Sequence, residues 1–222
     1  MRLLLIHTSG GEGSVALADT AQTQVIVATE ALPGRTSSER LVPAVRRLME
    51  SQGWSLRELA AVVVVHGPGS FTGVRVGLSA AKGLSEASGI PLIAVSRLAL
   101  LAAFAGEGAT TAHAVLDAGR GEFYYGEYSG HRCVREALLT GEEVADAADE
   151  GPVVACEAKV AEALAALHPR QVEEPSAGDA LPFALERIAA GDFDDAMTLD
   201  ANYLRRTDAE IFAKPRAKST AK

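Results

Sequence analysis

The sequence contains little cysteine. Cys133 and Cys156 are its only two cysteines among 222 residues, and they lie far apart with no Cys-x-x-Cys spacing. Disulfide frameworks and zinc sites need numerous or closely spaced cysteines, so we expect neither. Free thiols fit a reducing compartment, and we predict a cytoplasmic protein.

Long apolar runs are also missing. The apolar start at residues 3–6 is too short for the hydrophobic region of a secretory signal. No uninterrupted apolar run approaches the roughly 20 residues that a membrane-spanning helix needs. We therefore predict no targeting signal and no membrane partner.

Basic residues are outnumbered, with 21 Lys and Arg against 29 Asp and Glu and a net charge of −8. This excess opposes direct binding of a polyanion over a large surface. The exception is a predicted disordered basic tail at residues 213–222, which contains Lys214, Arg216, Lys218 and Lys222. It is either a solubilising tail or an RNA contact.

The two common nucleotide-binding signatures, the P-loop and Gly-x-Gly-x-x-Gly, are absent. The chain has instead four valines at residues 62–65, which suit a strand covered on both faces, followed by Gly67-Pro68-Gly69. The amides of residues 70–73 would point outward at a helix N-terminus, where an anion is favoured. The alternative is a tight strand-to-helix connection that only glycine can make.

The order of predicted elements indicates two α/β subdomains. Three β-rich runs at residues 2–8, 14–19 and 24–30 precede a helix over 37–51, for which Thr36 and Glu39 have the spacing of a capping box. The valine strand, a helix over 73–88, a strand over 91–95 and another helix follow. After a boundary near residue 106, strands at 112–117 and 121–128 begin a second round, and helices are predicted near 142–149, 158–167 and 180–190. The cleft between the two subdomains is the expected ligand site.

The helix that follows the glycine turn carries small residues at four-residue spacing, at Gly73, Gly77 and Ala81. Each helical glycine costs about 1 kcal/mol relative to alanine, so close approach of another backbone should compensate. That neighbour is either a partner's helix or the chain's own sheet.

The run at residues 67–84, GPGSFTGVRVGLSAAKGL, closely resembles the TsaB (YeaZ) family, a subunit of the bacterial machinery that makes threonylcarbamoyladenosine in tRNA. Residues 38–43, 90–96, 117–124 and 203–205 are similar to the family's other landmarks, in the family's order. The resemblance implies an actin/sugar-kinase/Hsp70-like (ASKHA) α/β fold with two subdomains of β-β-β-α-β-α-β-α plan. The subdomains would span residues 1–106 and 107–212.

The resemblance also implies a role and partners. A TsaB protein pairs with its paralogue TsaD, which transfers the threonylcarbamoyl group to the adenosine beside the anticodon, while the small ATPase TsaE joins the assembly. Contact with tRNA would be indirect, through the complex. Homodimerisation through the same helices is expected when the partner is absent.

Two departures from the catalytic paralogue imply that this chain is noncatalytic and holds no metal. Where TsaD carries a His-x-x-x-His metal pair, the matching positions are Arg97 and Leu101, and neither side chain can replace a neutral imidazole. Where relatives have Asp-Thr-Ser on the first strand, this chain has His7-Thr8-Ser9, which removes an oxygen ligand for magnesium. His7 is either a buried, hydrogen-bonded residue or, when protonated, a phosphate contact.

The resemblance implies a partner or dimer interface on the two helices, over Glu39, Arg40, Val42, Gly73, Val74, Gly77, Leu78, Ala80 and Ala81. We also expect nucleotide or other anion contact at His7, Thr8, Ser9, Gly67, Gly69, Ser70 and Thr72, and ATP or ADP at the partner interface stays open. Gly77→Leu is expected to abolish partner binding while leaving the isolated fold intact. The competing hypotheses are an independent nucleotide-dependent transferase, a metallopeptidase-like enzyme, and a tRNA-binding module that uses the tail.

Overall fold

A computed structural model of the protein describes residues 1–23, 25–106, 108–148 and 150–204. Two five-stranded mixed sheets organise these residues. The predicted basic tail, the end of the second predicted subdomain and Arg205 of the landmark at 203–205 lie outside the described residues.

The first sheet has the strand order β3-β2-β1-β4-β5. Its strands are β1 (Arg2–His7), β2 (Gly13–Asp19), β3 (Ile26–Leu32), β4 (Leu59–Val65) and β5 (Leu92–Val95). The three N-terminal strands are joined as two antiparallel hairpins, as predicted, and β4 and β5 add in parallel. All four valines of β4 are fully buried because both faces of the sheet are covered.

Two helices, α1 (Ser37–Ser51) and α2 (Phe71–Ser88), cover one face of this sheet. The predicted capping box of α1 is wrong. A turn of 3-10 helix precedes α1 and leaves Thr36 without extended backbone geometry, so its hydroxyl donates to the Pro33 carbonyl at 2.7 Å and does not cap the helix. No helix in the described ranges is both long and apolar enough to cross a membrane.

The second sheet repeats the plan with the order β10-β9-β6-β7-β8. Its elements are β6 (Ala112–Gly119), β7 (Glu122–Ser129), β8 (Arg132–Thr140), α4 (Gly141–Ala147), β9 (Val153–Ala155), α5 (Ala158–Ala163) and β10 (Arg170–Gln171). The three antiparallel strands, two helices and two parallel strands follow, up to its last helix, the β-β-β-α-β-α-β-α plan that the family resemblance implies.

A short helix, α3 (Arg97–Ala102), lies between the two sheets. Its residues from Leu98 to Ala102 are buried in one apolar cluster with Leu3 and Leu5 of the first sheet and Ala114 and Leu116 of the second. The two subdomains therefore share a core.

The chain then returns to the first sheet. Helix α6 (Leu181–Ala190) packs on β5, and the Ala177 amide donates to Ser14 on β2 at 2.8 Å. Asp194 pairs with Leu92 in an isolated antiparallel bridge at the free edge of β5. Its carboxylate accepts hydrogen bonds from the Ala94 amide at 2.6 Å and from Arg187 at 2.8 Å. The last described segment is thus fixed to the N-terminal subdomain.

Asp194→Ala should lower the free energy of unfolding by about 1–3 kcal/mol, because the Ala94 amide and Arg187 lose a shared, partly buried acceptor. Denaturant titration measures the change. Asp192→Ala is the matched control, since Asp192 bonds the same arginine at 2.8 Å from a more exposed position, and we expect a smaller loss. Equal losses for the two variants would contradict the role given to Asp194.

Candidate functional site

The connection between β4 and α2 meets the end of β1. The Ser70 amide donates to the Ser9 carbonyl at 2.8 Å, and the Ser70 hydroxyl caps α2 by accepting from the Gly73 amide at 3.3 Å. On the other side, the Arg97 amide donates to the Gly67 carbonyl at 2.7 Å. Two amides that were expected to face an anion, those of Ser70 and Gly73, are therefore bonded within the chain.

The small-residue stripe of α2 faces the chain's own sheet. A Cβ added at Gly73 would lie 1.9 Å from the Thr8 carbonyl oxygen, and one at Gly77 would lie 2.3 Å from Thr8 Oγ1. Thr8 Oγ1 in turn donates to the Gly73 carbonyl at 2.7 Å in a buried position. Of the two neighbours considered for these glycines, it is the end of the chain's own strand β1 that packs against them. The expectation that Gly77→Leu leaves the isolated fold intact is therefore wrong.

The predicted interface residues divide into two groups. Those that are buried inside this chain, and so cannot form the surface expected of them, are Gly73, Val74, Gly77, Leu78 and Ala81. Glu39, Arg40 and Val42 on α1 are exposed, and Ala80 on α2 is half-buried. Only the second group can contribute to an outer face of the two helices.

A pocket of about 460 Å³ opens where α1 and α2 begin. It is lined by Thr8, Gly10, Gly11, Gly34, Ser37, Ser38, Ser70, Phe71, Thr72, Gly73 and Val76. Three of the expected anion contacts, Thr8, Ser70 and Thr72, therefore share one pocket. The others, His7, Ser9, Gly67 and Gly69, do not line it.

Exposed apolar side chains lie beside this pocket. Val42 is 62% exposed and stands one helical turn beyond the pocket residue Ser38, and Phe71 is 54% exposed. Arg75 lies over the Phe71 ring at 3.6 Å from its centroid and donates to the Tyr203 hydroxyl at 2.8 Å. The predicted interface does not include Phe71 or Val76. For Phe71 the sequence offered a usable signal, because it is the first aromatic residue after the glycine turn.

His7 is fully buried, and neither ring nitrogen has a hydrogen-bond partner. Burial lowers its pKa to about 3, with a further lowering from the positive charge of Arg97. The imidazole is therefore neutral near pH 7 and cannot contact phosphate as a cation. His7 is therefore buried, as one of its two predicted alternatives states. The hydrogen bond expected of its side chain in that alternative is absent.

The positions that match the paralogue's metal pair are occupied by a buried cation and a buried apolar side chain. Arg97 donates to Glu174 Oε1 at 2.8 Å, and Leu101 is fully buried in the shared core. The described part of the chain contains no group of three or more His, Cys, Asp or Glu side chains that could hold a metal ion. Glu174 was not singled out from the sequence, where nothing local marks it.

A second pocket of about 350 Å³ lies between β5, β7, β8 and α6. Its central carboxylate, Glu136, accepts hydrogen bonds from Ser96, Tyr128 and, at 2.6 Å, Asn202. Burial and the Glu136 charge raise the pKa of Tyr128, which stays a protonated donor. Both carboxylate oxygens of Glu136 thus accept hydrogen bonds. Since their donors come from different segments, this cluster joins β7, β8 and the C-terminal segment.

Comparison with known proteins identifies the family. A family model described as TsaD, tRNA N6-adenosine threonylcarbamoyltransferase, matches residues 8–193. The Escherichia coli (strain K12) tRNA threonylcarbamoyladenosine biosynthesis protein TsaB is 38% identical over 130 residues, which are 58% of this chain and 55% of that protein. The solved structure of YeaZ from Pseudomonas aeruginosa is 31% identical and matches with a TM-score of 0.75 over 91% of this chain and 99% of that one. The chain belongs to the TsaB (YeaZ) family.

The ASKHA fold expected of a TsaB (YeaZ) family member is confirmed. Besides YeaZ, the inorganic polyphosphate/ATP-glucomannokinase from Arthrobacter sp. strain KM matches with a TM-score of 0.51 over 83% of this chain, at 12% identity, which is a likeness of fold alone. The segment matched to the curated E. coli TsaB spans little more than half of that protein's length.

Gly77→Ala should destabilise the chain by about 1–3 kcal/mol, because its methyl group would overlap Thr8 Oγ1, which is itself held by a buried hydrogen bond. Gly83→Ala on the same helix is the control. Its added Cβ meets nothing within 4 Å, so removing the helical glycine should stabilise the chain by up to about 1 kcal/mol. Thermal or denaturant unfolding measures both, and a neutral Gly77→Ala would disprove the close contact.

His7→Leu should weaken the loss of stability on acidification. The folded-state pKa of His7 is depressed from 6.5 to about 3, so between these values the unfolded chain binds a proton there and the folded chain does not. Stability is then lost as pH falls, by about 1 kcal/mol per pH unit between about pH 6 and pH 5. Denaturant titrations at both pH values should show that contribution in the wild type and not in His7→Leu. Equal pH slopes would contradict a neutral buried His7.

Proposed function

We propose that this chain is a noncatalytic subunit in the biosynthesis of threonylcarbamoyladenosine in tRNA, acting by pairing with a TsaD-type transferase. The observation that carries the proposal is the exposed apolar face on α1 and α2, where Val42 and Phe71 flank a pocket. Exposed apolar groups clustered beside a concave surface are typical of protein interaction sites. The names of the curated relatives supply the pathway.

The positions that match the paralogue's catalytic residues favour a noncatalytic role. His7 lacks both charge and hydrogen-bond partners, and Arg97 and Leu101 cannot ligate a metal. The surface for the partner comprises the exposed residues of the predicted interface, Glu39, Arg40, Val42 and half-buried Ala80, extended by Phe71 and Val76. Self-association would use the same face, in competition with the partner.

The remaining elements of the proposal follow from the family. TsaE joins the assembly, tRNA is contacted through the complex, and the protein acts in the cytoplasm. ATP or ADP at the partner interface would use the pocket at the start of α1 and α2, where Thr72 offers a hydroxyl group. The hydroxyls of Thr8 and Ser70 also line this pocket, but each is already hydrogen-bonded to Gly73.

The test of this role is threonylcarbamoyl transfer to tRNA in a reconstituted system containing the synthase, TsaD and TsaE, with and without this chain. Loss of product on omission supports an obligatory subunit. Undiminished product would overturn it and favour an independent enzyme, either a nucleotide-dependent transferase or the peptidase type named for one P. aeruginosa relative.

Val42→Glu should weaken association with TsaD about tenfold or more, because it places a charge in the apolar part of the interface. Its stability should stay within about 0.5 kcal/mol of the wild type, since the side chain is exposed. Val134→Glu on β8 is the matched control, with similar exposure away from α1 and α2, and it should bind normally. Equal affinities for the two variants, measured by calorimetry, would exclude this face as the interface.

A further inference from the structure

A carboxylate bridges the two subdomains. Glu174 follows β10 of the second sheet, and its Oε1 accepts a hydrogen bond from the Gly11 amide at 2.9 Å in the β1–β2 turn. The same oxygen accepts from Arg97 Nη2 at 2.8 Å. One carboxylate is therefore held by two donors that both belong to the N-terminal half of the chain.

The receptor for this carboxylate is built for an anion. The Arg97 side chain is only 4% exposed, so its charge has little access to solvent and needs a counter-ion. The turn leaves room for an oxygen because position 10 is glycine, where an added Cβ would lie 1.7 Å from Glu174 Oε1. A backbone amide and a guanidinium that converge on one oxygen form the usual recognition of a phosphate or carboxylate.

More polar groups surround the site than Glu174 satisfies. Arg97 Nε, the Ser9 hydroxyl and both nitrogens of His7 are buried with no hydrogen-bond partner. His7 Cε1 lies 3.1 Å from the position of a Cβ on Gly10, which places the imidazole beside the same turn. Unpartnered buried polar groups are costly, and in a site of this kind they indicate capacity for an oxygen-rich ligand larger than one carboxylate.

The neighbouring acidic residue, Glu157, makes a different contact. Its Oε1 lies 3.8 Å from Arg97 Nη2, beyond hydrogen-bond distance, while its Oε2 accepts from the Asp117 amide at 2.7 Å within the second subdomain. Glu157 therefore contributes negative electrostatic potential at Arg97 but little hydrogen bonding. Glu174 is the carboxylate that joins the two subdomains.

We propose that Arg97 and the Gly11 amide form an oxyanion site and that Glu174 is its resident intramolecular ligand, which bridges the two subdomains and excludes free phosphate. The ligand class of the vacated site is a phosphate group, either inorganic phosphate or the phosphates of a nucleotide. This inference concerns the contact between the two subdomains and does not rest on the proposed pairing through α1 and α2, although Gly10 and Gly11 also line the pocket where those helices begin.

The test uses the full chain and isothermal titration with inorganic phosphate at constant ionic strength. Glu174→Ala vacates the site and should bind phosphate at least about tenfold more tightly than the wild type. Glu173→Ala is the matched control, because it removes the same charge from the adjacent exposed position and should behave as the wild type. Phosphate should also raise the melting temperature of Glu174→Ala and not that of the control.

A double variant, Glu174→Ala with Arg97→Met, shows whether the guanidinium is the receptor. It should lose the gained phosphate binding, and it should fold at least as well as Glu174→Ala because no buried cation is left unpaired. If Glu174→Ala does not fold, Glu174→Ser replaces it, since the short side chain also removes the carboxylate from Arg97 and the Gly11 amide.

The outcomes are distinct. Phosphate binding that appears with Glu174→Ala and disappears with the double variant supports the inference, and a parallel titration with ADP identifies a nucleotide if ADP binds more tightly than phosphate. Folded Glu174 variants that bind phosphate no better than the Glu173→Ala control would overturn it. Binding that survives the loss of Arg97 would overturn it as well.

Discussion

The close approach of α2 to the end of β1 is the constraint on which the first subdomain depends. Gly73 and Gly77 let the helix backbone lie against Thr8, which returns a hydrogen bond to the helix. Any side chain at these positions would displace the start of α2, and with it the Ser70 cap and the turn whose Gly67 carbonyl accepts from the Arg97 amide. The pocket at the start of the helices and the exposure of Phe71 both follow from this packing.

The same packing determines the charge state of the interior. Because β1 ends inside the molecule, His7 is desolvated and neutral, and the cation at position 97 must find its counter-ion within the chain. Glu174 supplies it from the other subdomain. Electrostatic pairing across the cleft and apolar packing of α3 between the sheets therefore hold the two halves together at adjacent places.

Local patterns predicted the regular elements but not their neighbours. The valine run predicted β4, and apolar spacing predicted the helix α1, because both signals depend on residues close in sequence. The strand β8 was missed because it is largely exposed at a sheet edge and lacks clean alternation. The strands β9 and β10 were missed as well, because runs of three and two residues are too short to show a pattern. Spacing also predicted that Gly73 and Gly77 share a helix face, yet it cannot tell which partner that face meets. The contact of Glu174 with Gly11 spans 163 positions, and no local signal reports such a distance.

An anion site filled by the chain's own carboxylate differs from an empty one in its competition with ligands. A tethered group acts at an effective concentration in the millimolar range or above, so a free phosphate that binds weakly cannot displace it. In addition, the net charge of −8 repels polyanions from the surface as a whole. In the proposed arrangement, Glu174 and the outer charge both oppose binding of free phosphate or nucleic acid, whereas the apolar face of α1 and α2 is suited to recognition by burial of surface.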